Sequence, residues 1–295
     1  MFDLPCCPVC GAANFEQVFA SEFSGTPAEA MPYFLTDRKK AIHGRIVRCG
    51  ACGFIFTSPQ FTASEYEDIY RQVAADAKPP ARSRATAARY EKLAANVRRY
   101  VCGGSFFDFG CGGGEFLDSM SGYRGVGLEL RSSAAAAEYS KEGRIILASL
   151  SNALADGLLK PNAFDFITTW DVIEHLPDLN DDIATLKGFL KPSGWLFCTV
   201  PDVASLAARM SGEKWNCYLL EHLWYFSPKT LAAFFEKHGF AVRDIRSFWF
   251  PADLETLALR VAQTYRLRLP LPAFVKGWTL PLPAGVMFGA FQLGS

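Results

Sequence analysis

The sequence predicts an α/β protein, a doubly wound seven-stranded sheet of mostly parallel strands, preceded by a small module built on cysteine pairs. Three observations carry this reading. From Ser105 onward, short apolar runs alternate with helical patterns, as repeated βαβ units require. A glycine-rich turn, Gly110-Cys111-Gly112-Gly113-Gly114, stands between a strand-like run and a helix start. Two copies of a Cys-x-x-Cys-Gly motif occupy Cys7–Gly11 and Cys49–Gly53.

At 295 residues the chain exceeds one average domain and has room for an α/β domain plus a smaller unit. Half the residues are hydrophobic, and Lys+Arg equals Asp+Glu at 30 each, so nothing in the charge balance calls for a polyanionic partner. The chain opens Met1-Phe2-Asp3-Leu4-Pro5 with no basic and apolar leader, and no apolar run reaches the roughly 18 residues of a membrane span. The expectation is a cytoplasmic protein without a transmembrane segment. Four of its nine cysteines form the two close pairs, which suits metal binding in a reducing compartment better than disulfides.

The first expected unit, residues 1–60, is a zinc ribbon with short strand-like pieces such as Arg45–Arg48. Two thiolates separated by two residues can face one ion from a tight turn, and the following Gly tolerates the positive φ that aims backbone N–H groups at sulfur. Cys7, Cys10, Cys49 and Cys52 then form a closed tetrahedral Zn2+ site, structural because no coordination position is left for substrate. Cys6 competes with Cys7 but lies one residue too far from Cys10. The long interval between the pairs predicts a looped insertion around residues 20–40.

Residues 61–101 read as a helical linker, with Tyr90, Leu93, Val97 and Tyr100 or Val101 at helix spacing. Residues 102–295 form the larger domain. Its strands are expected at 105–109, 124–128, 144–147, 164–170, 194–200, 240–249 and 285–292, with helices between them. Lys191-Pro192-Ser193-Gly194 is a turn, and Lys237-His238-Gly239 closes a helix.

The glycine turn fits more than one adenosine cofactor, and the surrounding charges choose between them. A dinucleotide loop binds pyrophosphate at a helix start, but its third small position falls here on Glu115, a carboxylate beside phosphate. S-adenosylmethionine carries an ammonium and a sulfonium and no phosphate, so Asp108 and Glu115 favour it. Glu129, at the end of the next strand, can accept two hydrogen bonds from a ribose diol, a requirement common to both cofactor classes.

Asp108–Gly114, Glu129 and the segment Phe164–Leu176 together resemble class I methyltransferases with a Rossmann-like fold, particularly the small-molecule group that includes ubiquinone-biosynthesis enzymes. Leu190–Trp195 and His222–Pro228 are similar to later segments of that group. The resemblance covers roughly residues 90 to 250. The cysteine motifs, continuing into Phe54–Pro59, resemble the zinc-binding domain fused to such enzymes in deoxysugar C-methyltransferases, whose additional C-terminal α/β domain this chain is too short to hold. The resemblance implies that Asp108 lies near the methionine amino group, Gly110, Cys111 and Gly112 against the methionine and ribose, and Glu129 with Leu130 at the ribose. Ser149 stands where the family commonly has an acid for the adenine amino group. Trp170 and Asp171 line the cofactor pocket.

Methyl transfer from a sulfonium is an in-line displacement, so a base is needed only where the acceptor keeps its proton. His175 follows the fourth strand, where ligands bind in open α/β sheets, and His222 lies in a region that contacts the acceptor in the resembled family. Both are catalytic candidates, weighed against a structural Glu174-His175 pair. Trp215, Tyr218, Trp224 and Tyr225 either enclose a flat acceptor or pack a loop over the sheet. The apolar, Arg-bearing stretch Phe248–Phe291 is either an inserted helix and loop or a peripheral contact with a membrane surface.

The expected partner is a small-molecule methyl acceptor, such as a sugar, a glycan intermediate or a secondary metabolite. A competing reading makes the substrate RNA, with Arg82, Arg84, Arg89, Arg98, Arg99 and the ribbon's Arg38, Lys39, Lys40, Arg45 and Arg48 on phosphates. Zero net charge weighs against nucleic acid. A third reading is a non-catalytic binding protein on the same fold, disfavoured by the intact glycine turn and Glu129. The sequence carries no signal for oligomeric state.

Overall fold

In the computed structural model, the structure describes residues 1–34, 42–76, 84–130, 133–254, 258 and 278–294. The N-terminal strands β1 (Phe15–Phe19), β2 (Ile46–Cys49) and β3 (Ile55–Thr57) form an antiparallel meander that springs from the two cysteine turns. The turns are built alike: Gly11 donates to the Cys7 carbonyl and Gly53 to the Cys49 carbonyl, each glycine at φ 78°. Of the predicted insertion, residues 20–34 hold a short helix, α1 (Pro27–Ala30), capped by Thr26 and Glu29.

Two helices, α2 (Ala63–Asp76) and α3 (Arg84–Val97), follow where a helical linker was expected. Neither merely spans a gap. Tyr66 and Ile69 of α2 are buried against Phe34 in the core shared with the N-terminal sheet, whereas Leu93, Ala94 and Val97 of α3 are fully buried beside Phe106, Phe116 and Phe166.

The larger sheet comprises β4 (Ser105–Phe109), β5 (Arg124–Glu129), β6 (Ile145–Leu147), β7 (Phe164–Trp170), β8 (Leu190–Pro201), and the long β10 (Phe240–Asp253) and β11 (Thr279–Leu293). Its order is β10-β11-β8-β7-β4-β5-β6, with β11 antiparallel to both neighbours and β4 to β8 mutually parallel where they pair. All seven predicted strands are present. The expected turn at Lys191–Gly194 lies inside β8 instead, where Ser193 takes φ 60° and the register against β7 slips. Helices α4 (Glu115–Ser119), α5 (Ala134–Lys141), α6 (Leu150–Ala155), α7 (Leu179–Phe189), α8 (Leu206–Ser211) and α9 (Pro228–Lys237) connect the strands. Gly239, at φ 84°, ends α9 as the sequence predicts.

Between α8 and α9 lies β9 (Trp224–Tyr225), which pairs not with the large sheet but with β3 of the N-terminal meander. The small sheet therefore has order β1-β2-β3-β9, with its last strand supplied from a point some 170 residues on. One core cluster runs from Cys7, Phe54 and Phe56 through Trp224 and Phe226 to Ile167 and Leu186. No helix among the described residues is long and apolar enough to cross a membrane. Most of the apolar stretch singled out after Phe248 (residues 255–257 and 259–277) lies outside the described residues, as do Arg38, Lys39, Lys40 and Arg82.

Candidate active site and cysteine cluster

The glycine turn follows β4 because the chain must reverse sharply from strand to helix while leaving its backbone open. Gly110 sits at φ 74° and Gly112 at φ 56°. A Cβ on Gly110 would lie 2.4 Å from a Val172 methyl, so only glycine fits there. Gly112 N–H donates to the Glu129 carboxylate at 2.8 Å, which ties the turn to the end of β5.

Asp108 lies one residue before the strand's end, 1% exposed, and accepts a 2.6 Å hydrogen bond from Thr168 on β7. Its other oxygen has no hydrogen-bond partner. Burial pushes its carboxyl up to about 7; Thr168 pulls the other way, and the charges of Glu129 and Glu115 push it further up. A buried acid with an unpartnered oxygen, next to two more acids, is a site made for a cation.

Beyond the turn a cavity of about 370 Å3 is lined by Gly110, Gly112, Glu129, Leu130, Ser149, Trp170, Asp171 and His175 among others. Eight of the predicted site residues thus meet in one space at the carboxyl ends of the parallel strands. Asp108 and Cys111 do not line it. The Cys111 side chain is buried beneath Gly127, whose added Cβ would meet its sulfur at 2.5 Å, so the thiol is turned away from the cavity. Ser149 caps α6, accepting from Asn152 N–H, and touches the Ser151 hydroxyl at 3.0 Å.

The far wall was not foreseen in the sequence. Tyr66, Glu67 and Tyr70 of α2 and Tyr90 of α3 line the cavity, and Arg89 forms an ion pair with Asp171. Asp171, at φ 54°, also accepts from the Thr199 hydroxyl at 2.7 Å. Burial pushes its carboxyl up, but the Arg89 guanidinium and the hydrogen bonds outweigh it and hold the pKa below the usual range. Carboxylates of Glu67, Glu129, Asp171, Asp178 and Asp182 line the cavity, and no Lys or Arg does among the described residues. Asp182 is pushed up to about 7 by burial and by its neighbours Asp178 and Asp181.

His175 reaches the cavity from the turn after β7, with Nδ1 2.9 Å from the Glu221 carbonyl and 3.0 Å from the Tyr70 hydroxyl. His222 is buried behind it and does not line the cavity; the two rings lie edge to face with centroids 4.6 Å apart. His222 Nδ1 is 2.7 Å from the Cys217 carbonyl. Contact with carbonyls puts the proton of both rings on Nδ1. Glu174, 1% exposed, brings a carboxylate within 4.8 Å of both imidazoles. Burial and Asp171 push its pKa well above the carboxylate range. The aromatic residues Trp215, Tyr218, Trp224 and Tyr225 are all buried, none lines this cavity, and they pack the small sheet and its flank.

At the N-terminus the sulfurs of Cys7, Cys10, Cys49 and Cys52 lie within 4.8 Å of one another, with the Cys7–Cys52 and Cys10–Cys49 pairs at 3.6 Å. A tetrahedral Zn2+ with bonds of about 2.3 Å spaces its sulfurs by about 3.8 Å, so the cluster fits such an ion. The donor set is pure thiolate, the preference of zinc among abundant divalent ions.

Comparison with known proteins agrees with this geometry. Residues 80–245 match the family model described as a methyltransferase domain. The ubiquinone biosynthesis O-methyltransferase of Burkholderia orbicola (strain MC0-3) is 24% identical over 169 residues, 52% of this chain and 72% of that protein. Its counterpart from Paraburkholderia phymatum is 25% identical over 164 residues, 51% and 70% of the two chains. In fold, the chain is similar to the 1,6-didemethyltoxoflavin-N1-methyltransferase of Burkholderia thailandensis, at TM-score 0.51 and 14% identity over 84% of this chain and 99% of the other. The [4+2]-cyclase SpnF matches with TM-score 0.51 and 16% identity over 79% and 96% of the two chains, so the fold by itself does not dictate methyl transfer. The family model spans more than half the chain and includes the glycine turn, Glu129 and His175, and the chain accordingly belongs to the methyltransferase-domain family as an S-adenosylmethionine-dependent methyltransferase.

Proposed function

We propose that the chain methylates a small molecule bound in the cavity beneath α2 and α3, with a structural zinc ion held by Cys7, Cys10, Cys49 and Cys52. The observation that carries the reading is the run of acids at the open glycine turn: Glu129 lines the cavity, Asp108 is buried just behind it, and among the described residues no Lys or Arg lines the cavity to receive phosphate. When bound, S-adenosylmethionine supplies a methyl group already activated on a sulfonium. Asp108 would hold the cofactor's ammonium from behind the turn, Glu129 would accept from the ribose hydroxyls, and the Gly110–Gly112 backbone would face the methionine portion. Ser149 offers one hydroxyl at the adenine end, and Leu130 and Trp170 supply apolar contact.

The acceptor's place is the His175 side, where the Tyr70 hydroxyl stands 3.0 Å from the His175 ring. With Nδ1 carrying its own proton, His175 has Nε2 as its basic nitrogen, suited to take a proton from a hydroxyl or acidic C–H acceptor. His222 acts behind it, orienting the first ring.

A sugar, a glycan intermediate or a secondary metabolite fits the available space. RNA is disfavoured because the described lining is acidic. The test is incubation of the protein and isotopically labelled S-adenosylmethionine with fractionated metabolites and, separately, with RNA. Label in a low-molecular-weight product supports the reading; label only in RNA overturns it.

A further inference from the structure

The segment Glu221–Trp224 is held on both sides. Towards the large sheet, Leu223 N–H donates to the Glu174 carbonyl at 2.8 Å, the Trp224 indole N–H donates to the Leu176 carbonyl at 2.5 Å, and the Glu221 carbonyl accepts from His175 Nδ1. Towards the cysteine module, Thr57 makes two bonds: its N–H donates to the Leu223 carbonyl at 2.9 Å and its hydroxyl to the His222 carbonyl at 3.1 Å. The Tyr225 hydroxyl donates to the same His222 carbonyl at 2.9 Å. Thr57 is 3% exposed and ends β3, the strand that pairs with β9.

From this arrangement we infer that Thr57 is a positioning residue for the active site, through which the cysteine-ligated module sets the orientation of the His222–His175 pair. The inference rests on the reading of His175 as the acceptor-side base, though its test does not need the acceptor. The hydroxyl of Thr57 fixes the His222 carbonyl, hence the course of the backbone from Glu221 to Leu223, and the Glu221 carbonyl in turn fixes the proton and tilt of the His175 ring. The module thereby has a second task beside its own stability. An isolated module whose only role is folding would need no polar contact with that loop, because the apolar packing of Phe54, Phe56 and Trp224 already joins the two parts.

The chain has four histidines, so imidazole titrations are resolvable by NMR, with assignment by single His→Gln variants. The groups facing the pair are Glu174, Asp171 with Arg89, Tyr70, Glu221 and Cys217; Thr57 has no charge of its own, so its replacement acts on the pair through the Glu221–Leu223 backbone. In Thr57→Val, nearly isosteric but lacking the hydroxyl, the titration midpoints of His222 and His175 should move by half a unit or more, while that of His238 stays. Thr57→Ser should restore both. Tyr225→Phe, which removes the second donor to the same carbonyl, provides a variant should the valine form fold poorly. Unmoved midpoints for His175 and His222 in a folded Thr57→Val or Tyr225→Phe protein overturn the inference. Binding of S-adenosylhomocysteine, measured on the same samples, reports separately on the cofactor site: its failure in the unmodified protein would count against the proposed function and leave the titration result standing.

Discussion

Asp108 costs stability in the ligand-free protein, and in the proposed reading the same burial serves cofactor binding. Its folded carboxyl titrates near 7 because it is buried with one oxygen unpartnered, against about 3.9 in an unfolded chain. The folded state therefore binds the extra proton, and the ligand-free protein loses stability as pH rises between those two values. Placing an ammonium beside Asp108 lowers the pKa again. Binding of S-adenosylhomocysteine near pH 6.5 should thus release a proton, seen as a binding enthalpy that varies with the buffer's ionisation heat, and Asp108→Asn should abolish that variation. The same variant should melt at a higher temperature than the unmodified protein at pH 8 without ligand, yet bind the cofactor at least 10-fold more weakly, given about 1.5–3 kcal/mol for a hydrogen bond to a charged group. Glu129→Ala should weaken binding by a comparable or larger factor, measured by calorimetry. Both acids were legible because they flank a glycine turn. Tyr70 and Arg89 were not, since a tyrosine and an arginine within helical patterns look the same whether they face solvent or a cavity.

At the scale of elements, strand positions were readable because buried parallel strands are continuous apolar runs, as in Phe106-Phe107 and Ile167. The helix periodicity at Leu93 and Val97 was equally plain, but periodicity gives a face and not its partner. Those residues pack on the large sheet and hold α3 where its Tyr90 lines the cavity. Leu93→Ala should accordingly cost about 2–5 kcal/mol, read by denaturant unfolding, and should also weaken cofactor binding. A loop that only bridged two domains would tolerate the change at less than 1 kcal/mol or so. The strand β9 escaped notice for another reason: two residues, Trp224 and Tyr225, are too short for a pattern, and their partner lies at the other end of the chain. The aromatic cluster around them was visible, but whether it wraps a ligand or a neighbouring sheet is decided by tertiary contact alone.

Over the whole molecule, the shared β3–β9 edge and the continuous apolar cluster make the cysteine module an integral layer of the enzyme. Removing the zinc ion proposed for Cys7, Cys10, Cys49 and Cys52 should then loosen more than residues 1–60. Hydrogen exchange after chelation is expected to quicken at Ile46–Thr57 and also at Glu221–Tyr225, with little change at β4 and β5. Exchange confined to the N-terminal strands would mean that the two parts are coupled only weakly. The acidic cavity belongs to this scale as well, since its carboxylates come from α2, β5, the turn after β7 and α7. In the proposed reading these acids disfavour a diphosphate and suit a sulfonium. Calorimetry of the zinc-loaded protein with S-adenosylhomocysteine and with NAD tests this most directly: the account predicts one-to-one binding of the homocysteine nucleoside and no heat from NAD, and NAD binding in the absence of the other would contradict it.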